Sequence, residues 1–380
     1  MIAKNILVFM EDPGAANYVI GLTPKLTSYG IESHLLVQRA VLEFLRQRGE
    51  YPESIDNRVS PDMLIEKGGY DAVIVGTSEN PRTIAFDLIY TARKRGILSI
   101  GIVDANVNSQ NRFKGLSQDP LLYSPDILFV PDDKTKSGFE ELGFPSACIS
   151  VVGNPAIDAA IIKADELKKE PYEESRSTIF GKCYSEQKIL VFVSELSDGL
   201  NPDDFRKSPE YVLTGRGQND ARTLVVFEEV LDALALMSPR PELIVRLSPK
   251  EDITAFADYQ DEVMSFSQDD DPLRVAYFSD GVVGMSSTLL LEVAAMGVPV
   301  ISVVPREIER CWVPQLRSIT IPTVTKREDI STALQSLLVT GKKLTSNYVG
   351  KMSSDVIAEA IVRLLKPSTA TFRTTKKKQL

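Results

Sequence analysis

The sequence predicts an α/β fold of two doubly wound domains, each a parallel sheet covered by helices on both faces. Three observations carry this. Short β-branched runs alternate with helix-length segments along the 380-residue chain, the pattern that right-handed βαβ units impose. The strand runs are continuously apolar, as strands buried on both faces must be. The alternation also breaks once, in a charged stretch near the middle, and then restarts, which divides the chain into two units of ordinary domain size.

In order, Ile6–Phe9 reads as a strand with a helix over Ala15–Tyr29 after it, and Leu35–Val37 as a second strand with a helix over Ala40–Gln47. Strands at Ala72–Val75, Ile97–Val103, Ile127–Val130 and Ile149–Val152 follow, with helices at Thr83–Lys94 and Lys134–Leu142 among them. Residues 163–188 are dense in charge, contain Pro171 and lack an apolar period. That composition suits a linker or an exposed helix. The second unit runs strand Ile189–Val193, helix Ala221–Met237, strands Leu243–Leu247 and Gly281–Val283, helix Leu289–Met296 and strand Val298–Val303. Val356, Ile357, Ala360, Ile361 and Leu364 fall at helical spacing within Ser353–Leu365, and Pro367 stops that helix. The expected division is a domain over 1–163, a linker over 164–188, a second domain over 189–350, and a helix with a tail over 351–380.

Composition removes several functions. The 43 basic and 52 acidic residues give a net charge of −9, against the basic face of a dedicated nucleic-acid binder. With 43% hydrophobic and 25% charged residues the chain has an ordinary globular balance. Cys148, Cys183 and Cys311 are too scattered for a disulfide framework or a zinc site, and they fit a reducing cytoplasm. His34 is the single histidine, so histidine pairs, His-rich metal sites and catalytic triads are excluded. It reads as a strand-end surface or core residue, and the chemistry falls to carboxylates, hydroxyls, backbone amides, arginine and lysine. No metal or cofactor is expected. No signal peptide opens the chain. The most apolar stretch, 282–304, is interrupted by Ser286, Ser287, Thr288, Glu292 and Pro299, which argues against a membrane span. The segment 366–380 carries Lys366, Arg373, Lys376, Lys377 and Lys378 with no acid. It is either a solubilising tail or a weak contact for anionic lipid or a polyanionic glycan carrier at the inner membrane face.

In a doubly wound sheet, ligands sit outside the carboxyl ends of the strands, so the loops there hold the candidate residues. The first is Glu11-Asp-Pro-Gly-Ala-Ala-Asn17. Pro13 and Gly14 make a tight turn that aims a helix N-terminus at the mouth of the loop. Glu11 and Asp12 are candidates for a general base, and Asp12 serves equally as a helix cap. The loop is neither GxGxxG nor a P-loop. The second, Gly76-Thr-Ser-Glu-Asn-Pro81, offers the Thr77 and Ser78 hydroxyls to an anion or a sugar, or simply caps the next helix. The third, Asp104-Ala-Asn-Val-Asn108, places Asp104, Asn106 and Asn108 where carbohydrate hydroxyls would find partners, or forms a plain turn.

The strongest signal is Gly284-Met-Ser-Ser-Thr-Leu-Leu-Leu-Glu-Val-Ala-Ala-Met-Gly-Val-Pro299. A buried strand ends at Gly284, Ser286 and Ser287 fill the turn, and a helix begins near Thr288. Its unpaired amides, dipole and three hydroxyls suit a diphosphate. Glu292, one turn further on, is placed to accept hydrogen bonds from a ribose diol, and a carboxylate in so apolar a helix needs some partner.

This segment resembles the nucleotide-binding strand–turn–helix of GT-B glycosyltransferases and of the structurally similar UDP-N-acetylglucosamine 2-epimerases. The runs Tyr70–Ser78, Gly101–Asp104, Ser124–Pro131 and Val151–Asp158, the last containing Gly153-Asn-Pro155, are similar to the epimerases in order and spacing. The resemblance implies two Rossmann-like domains facing across a cleft, hinged near Gly153–Pro155. Departures matter as much. Where the hydrolysing epimerases carry a catalytic His-Arg after the first strand of the second domain, this chain reads Ser194-Glu-Leu-Ser-Asp198; where they have Gly-Asp-Thr, it reads Gly76-Thr-Ser78. Where several GT-B enzymes have His-Pro, it has Arg246-Leu-Ser-Pro-Lys250, which keeps cationic character for a leaving diphosphate.

The expectation is therefore a metal-independent, cytoplasmic GT-B-type glycosyltransferase of surface-polysaccharide or glycolipid assembly. An activated sugar donor would be held by Gly14, Arg246, Lys250, Ser286, Ser287, Thr288 and Glu292. A glycan or glycolipid acceptor would meet Thr77, Ser78, Asn106 and Asn108, with Asp12, Glu11 and Asp104 as the candidate catalytic carboxylates. The alternatives are a sugar-phosphate transferase or nucleotide-sugar epimerase-like enzyme on the same fold, and a non-catalytic glycan- or nucleotide-binding subunit.

Overall fold

The computed structural model describes residues 4–46, 50–55, 59–78, 80–104, 108–181, 187–195, 205–248, 251–314, 316, 319–341 and 351–366. Asn106, Cys183, Asp198, Lys250, Pro367 and the tail beyond Lys366 lie outside them.

Each half of the chain builds one parallel sheet. The first contains β1 (Lys4–Met10), β2 (Ile31–Gln38), β3 (Glu53–Ile55), β4 (Ala72–Gly76), β5 (Leu98–Ile102), β6 (Ile127–Val130) and β7 (Ile149–Val151) in the order β3-β2-β1-β4-β5-β6-β7. The second contains β8 (Ile189–Val193), β9 (Glu242–Arg246), β10 (Ser265–Ser267), β11 (Gly281–Gly284), β12 (Val300–Val303) and β13 (Thr323–Val324) in the order β10-β9-β8-β11-β12-β13. The unbroken apolar runs now have their reason. Ile6, Val8 and Met10 of β1 enter the core on one side of the sheet, and Leu7 and Phe9 the core on the other. Because side chains alternate in direction along a strand, a sheet covered twice needs apolar residues at every position.

Both sheets reverse strand order beside their first strand, at β1/β4 and at β8/β11. These are the topological switch points outside which α/β sheets form crevices at the strands' carboxyl ends.

Several elements depart from expectation. Ala15–Tyr29 is not one helix but a short helix Pro13–Ala16, a 3-10 turn Asn17–Val19 and a helix Leu22–Ser28. The break falls at Gly21, whose φ of +68° is left-handed and cannot continue a right-handed helix. Strands β3, β10 and β13 have three, three and two residues, too short to leave a periodic signal. The charged segment after residue 163 is ordered into the end of the helix Pro155–Leu167 and the whole of the helix Tyr172–Phe180. Their Ala164, Leu167 and Phe180 join the core of the second half.

Two helices tie the halves together. Pro155–Leu167 follows β7 directly, after Gly153 (φ +79°) and the Asn154 cap, whose Oδ1 accepts from the Ala156 amide at 3.0 Å. Its Ile157, Ala160, Ala164 and Leu167 pack in the second half's core. The C-terminal helix Ser353–Leu365 returns the other way: Ile357, Ala358, Ala360 and Ile361 are buried in the first half's core. Asp158 accepts from the Ser353 amide and so caps that return, and Lys25 pairs with Asp355 at 2.7 Å. Among the described residues, no helix is long and apolar enough to cross a membrane.

Candidate active site at the two switch points

At β1/β4 the loops carry an acidic face. Glu11 leaves β1 and reaches across to the loop after β4, accepting from Asn80 Nδ2 at 2.5 Å and from Ser78 Oγ at 3.4 Å. Asp12 caps the short helix Pro13–Ala16 by accepting from the Gly14 amide at 2.8 Å. Asp104, from the loop after β5, is ion-paired with the buried Arg112 at 3.2 Å. Its second oxygen lies over Gly14, in the space a Cβ would take, with Asp12 Oδ1 alongside. The loops after β1 and β5 thus bring two carboxylates together around one glycine.

Beneath them lies Tyr18, fully buried, its hydroxyl without a hydrogen-bond partner among the described residues. Burial, with the charges of Asp104 and Asp132, pushes its pKa well above the ordinary tyrosine value, so the hydroxyl keeps its proton. Asp132 itself caps the next helix, accepting from the Thr135 amide at 2.7 Å. The buried Thr77 Oγ1 and Asn17 Oδ1 also lack partners among the described residues. Asn108 adopts φ +59° and starts the turn Ser109–Asn111.

At β8/β11 the arrangement repeats with different chemistry. The turn expected to hold a diphosphate is present: β11 ends at Gly284, Ser287 caps the helix Thr288–Ala295 by accepting from the Leu289 amide at 3.3 Å, and Ser302 Oγ donates to the Met285 carbonyl at 2.5 Å. Thr288 is exposed at the helix start and Glu292 is buried one turn on. The amides, however, are engaged by the carboxylate of Glu195. Its Oε1 accepts from the Met285, Ser286 and Ser287 amides at 3.2, 2.6 and 2.7 Å, and its Oε2 accepts from Ser286 Oγ at 2.7 Å. Arg222 stands behind: Nη1 is 3.4 Å from Glu195, Nη2 donates to Ser286 Oγ at 3.2 Å, and Nε donates to Glu309 at 2.6 Å. Glu309 is shared with Arg306 at 2.6 Å. Trp312 lies beneath both guanidiniums, 5.6 Å from Arg222 and 5.2 Å from Arg306. Burial works to lower the pKa of Arg222, but Glu195 and Glu309 more than offset it and raise it.

Sequence reasoning did not single out this cluster. Glu195 was legible only as part of the run Ser194–Asp198 after β8, with no role assigned, and Arg222 and Glu309 are 87 residues apart with no local pattern joining them. Arg246 ends β9 as expected, yet its guanidinium donates to Ser267 Oγ at 3.0 Å and to the Asp270 carbonyl at 2.9 Å, fastening β10 to the sheet. His34 lies in neither crevice. It pairs with Leu7 of β1, shares a 2.5 Å hydrogen bond with the Tyr70 hydroxyl and lies 3.3 Å from Glu53. No group of His, Cys, Asp and Glu placed to hold a metal ion occurs among the described residues.

No family model and no curated protein sequence matches this chain. Solved structures do. A UDP-GlcNAc 2-epimerase from Neisseria meningitidis bound to UDP-GlcNAc superposes with a TM-score of 0.66 at 15% identity, over 94% of this chain and 100% of that one. The enzyme of the same name from Methanocaldococcus jannaschii gives 0.64 at 13% identity, over 94% and 99%. The S. aureus MnaA–UDP structure gives 0.63 at 15% identity, over 95% and 97%. The chain therefore has the fold of these epimerases, two Rossmann-like domains facing across a cleft in the GT-B manner.

Proposed function

We propose that this chain is a nucleotide-sugar enzyme that binds its substrate between the two domains and acts on it as an epimerase does, by moving a proton at the sugar, in preference to glycosyl transfer. The observation that carries the reading is the placement of Asp12 and Asp104 around Gly14 at one switch point; at the other stands the N-terminus of the helix Thr288–Ala295, which would take the nucleotide's phosphates. A carboxylate within reach of a sugar C–H or O–H is a general base. Arg112 fixes the orientation of Asp104, and the protonated Tyr18 beneath it is a donor. Ser286, Ser287 and Thr288, with Glu292 for the ribose, would hold the nucleotide, as expected from the sequence. Epimerisation is preferred because structures of this shape over nearly their whole length are UDP-GlcNAc 2-epimerases.

Glycosyl transfer is the second reading. It is favoured by the absence of histidine from the run Ser194–Asp198, where the resemblance puts the hydrolysing epimerases' His-Arg. Thr77, Ser78 and Asn108 would then receive an acceptor hydroxyl, Glu11 or Asp12 would deprotonate it, and Arg246 would lie on the donor side. Lys250 and Asn106, outside the described residues, keep the roles the sequence suggests.

One experiment separates the two. The protein is incubated with a panel of UDP-sugars in D2O and followed by proton NMR. Epimerisation yields a changed sugar carrying deuterium at the inverted carbon, and Asp104→Asn lowers its rate at least tenfold. Free UDP with gain of mass on an added acceptor would replace this reading with glycosyl transfer. Nucleotide affinity without any product would replace it with a binding subunit.

A further inference from the structure

His34 lines a cavity of about 550 Å3 that belongs to neither crevice. Met63, Leu64 and Lys67 of the helix Pro61–Gly68 form one wall, with Ser60, the cap of that helix, and the Tyr70 ring beside them. Tyr70 stands just before the amino end of β4, whereas Asp12 and Asp104 follow the carboxyl ends of β1 and β5. We propose that this cavity is a second ligand site, for an organic acid with an apolar body, whose carboxylate meets Lys67 and the Tyr70 hydroxyl.

The volume lies within the range of small-molecule sites, and apolar walls with a few convergent polar groups are how such sites are built. Charge around the cavity is sorted by sign. Its lining contains Lys67 and His34 and no carboxylate. The acids of the same helix, Asp62 and Glu66, turn instead to Arg95, at 3.4 and 3.2 Å. Met63 and Lys67 are four residues apart and so share a helix face, which gives a ligand an apolar contact and a cation together.

The Tyr70 hydroxyl is fixed in advance. The Gly68 backbone lies so close to its ring that a Cβ there would come within 2.0 Å of a ring carbon. Asp71, next in the chain, is held by Lys4 Nζ at 2.6 Å and the Asn5 amide at 2.9 Å. Burial, and then the charge of Glu53, raises the Tyr70 pKa, so the phenol stays protonated. His34 joins this phenol to Glu53, with Nδ1 at 2.5 Å from the Tyr70 oxygen and Nε2 at 3.3 Å from Glu53. A doubly protonated imidazole donates at both nitrogens. Tyr70 then accepts from Nδ1–H, and its own O–H is left to donate into the cavity. Of the charges near His34, Glu53 favours that second proton and Lys67 opposes it; the neighbouring strand β1 contributes the apolar Leu7. An anion in the cavity adds to the Glu53 side, so binding takes up a proton and is tighter at lower pH.

The test is isothermal titration of the full chain with octanoate, octanol and octylammonium at pH 6 and pH 8. Octanoate binds once per chain and more tightly at pH 6, and the alcohol and the amine bind about tenfold more weakly. Tyr70→Phe keeps the ring and weakens octanoate about tenfold. Lys67→Met, at an exposed helical position where folding is undisturbed, weakens it about threefold and carries the test should Tyr70→Phe not fold. Saturating UDP leaves octanoate binding unchanged. No binding, equal affinity for the three head groups, unchanged affinity in the folded variants, or displacement by UDP overturns the site. None of these outcomes touches the nucleotide-sugar reading, which concerns other residues.

Discussion

Gly14 shows how much a single residue decides. A methyl group there would overlap the Asp104 carboxylate and crowd Asp12, so the two acids approach only because position 14 has no side chain. Gly14→Ala is expected to push Asp104 away from Arg112. The cost is about 1–3 kcal/mol, as for other overpacked sites, read by chemical denaturation, with turnover falling more steeply than stability. The sequence marked Glu11, Asp12 and Asp104 as chemical candidates because each follows a strand. It did not show that Asp104 is the group that needs Gly14, since the two are 90 positions apart and nothing local joins them. Arg246 illustrates the converse. Its type and place suggested a phosphate ligand, and its guanidinium holds Ser267 and the Asp270 carbonyl, contacts that no spacing rule encodes.

Among the elements, strands were the legible part, because a buried parallel strand declares itself by an unbroken apolar run. What fastens one strand to the next was not legible. Asp280, just before β11, accepts from Lys188 Nζ and Arg176 Nη2, each at 2.8 Å, and from the Ile189 amide at 2.9 Å, joining the starts of β11 and β8. Burial works to raise its pKa, but Lys188, the Ile189 amide and Arg176 outweigh that and hold it below the usual carboxylate range. A carboxylate depressed on folding contributes stability above its unfolded pKa and loses it as pH falls through the folded value. The wild type should therefore give up this contribution below about pH 4. Asp280→Asn leaves Arg176 buried beside a neutral group and is expected to lose about 3 kcal/mol at pH 7. Urea titrations at pH 7 and pH 3 check it: the gap between the two proteins should shrink at the lower pH.

At the scale of the whole molecule, the C-terminal helix matters most, because it crosses to the half of the chain that was made first. Ile361 is fully buried in the core formed by β1, β2 and β4, although it lies more than 280 residues from any of those strands. Ile361→Ala is expected to cost about 2–5 kcal/mol, measured by denaturation of the intact chain, and to unfold the first sheet earlier than the second. The helix Pro155–Leu167 makes the opposite crossing, so neither half is closed without a segment from across the cleft.

By itself the sequence determined the class of fold, the two-sheet division and the positions of the longer strands, and it singled out the loops at their carboxyl ends as candidates for chemistry. All of these follow from local periodicity, turn residues and the rule that ligands meet parallel strands at their carboxyl ends. Tertiary structure decided which side chains those loops bring together. It set Asp104 over Gly14, bonded Arg246 to Ser267 and the Asp270 carbonyl, and placed Glu195 against the Met285, Ser286 and Ser287 amides with Arg222 and Glu309 behind it. The reason is physical. Periodicity reports burial, which each residue settles with its immediate neighbours, whereas ion pairs and hydrogen bonds join residues whose separation along the chain is arbitrary and becomes short only when the sheets are assembled.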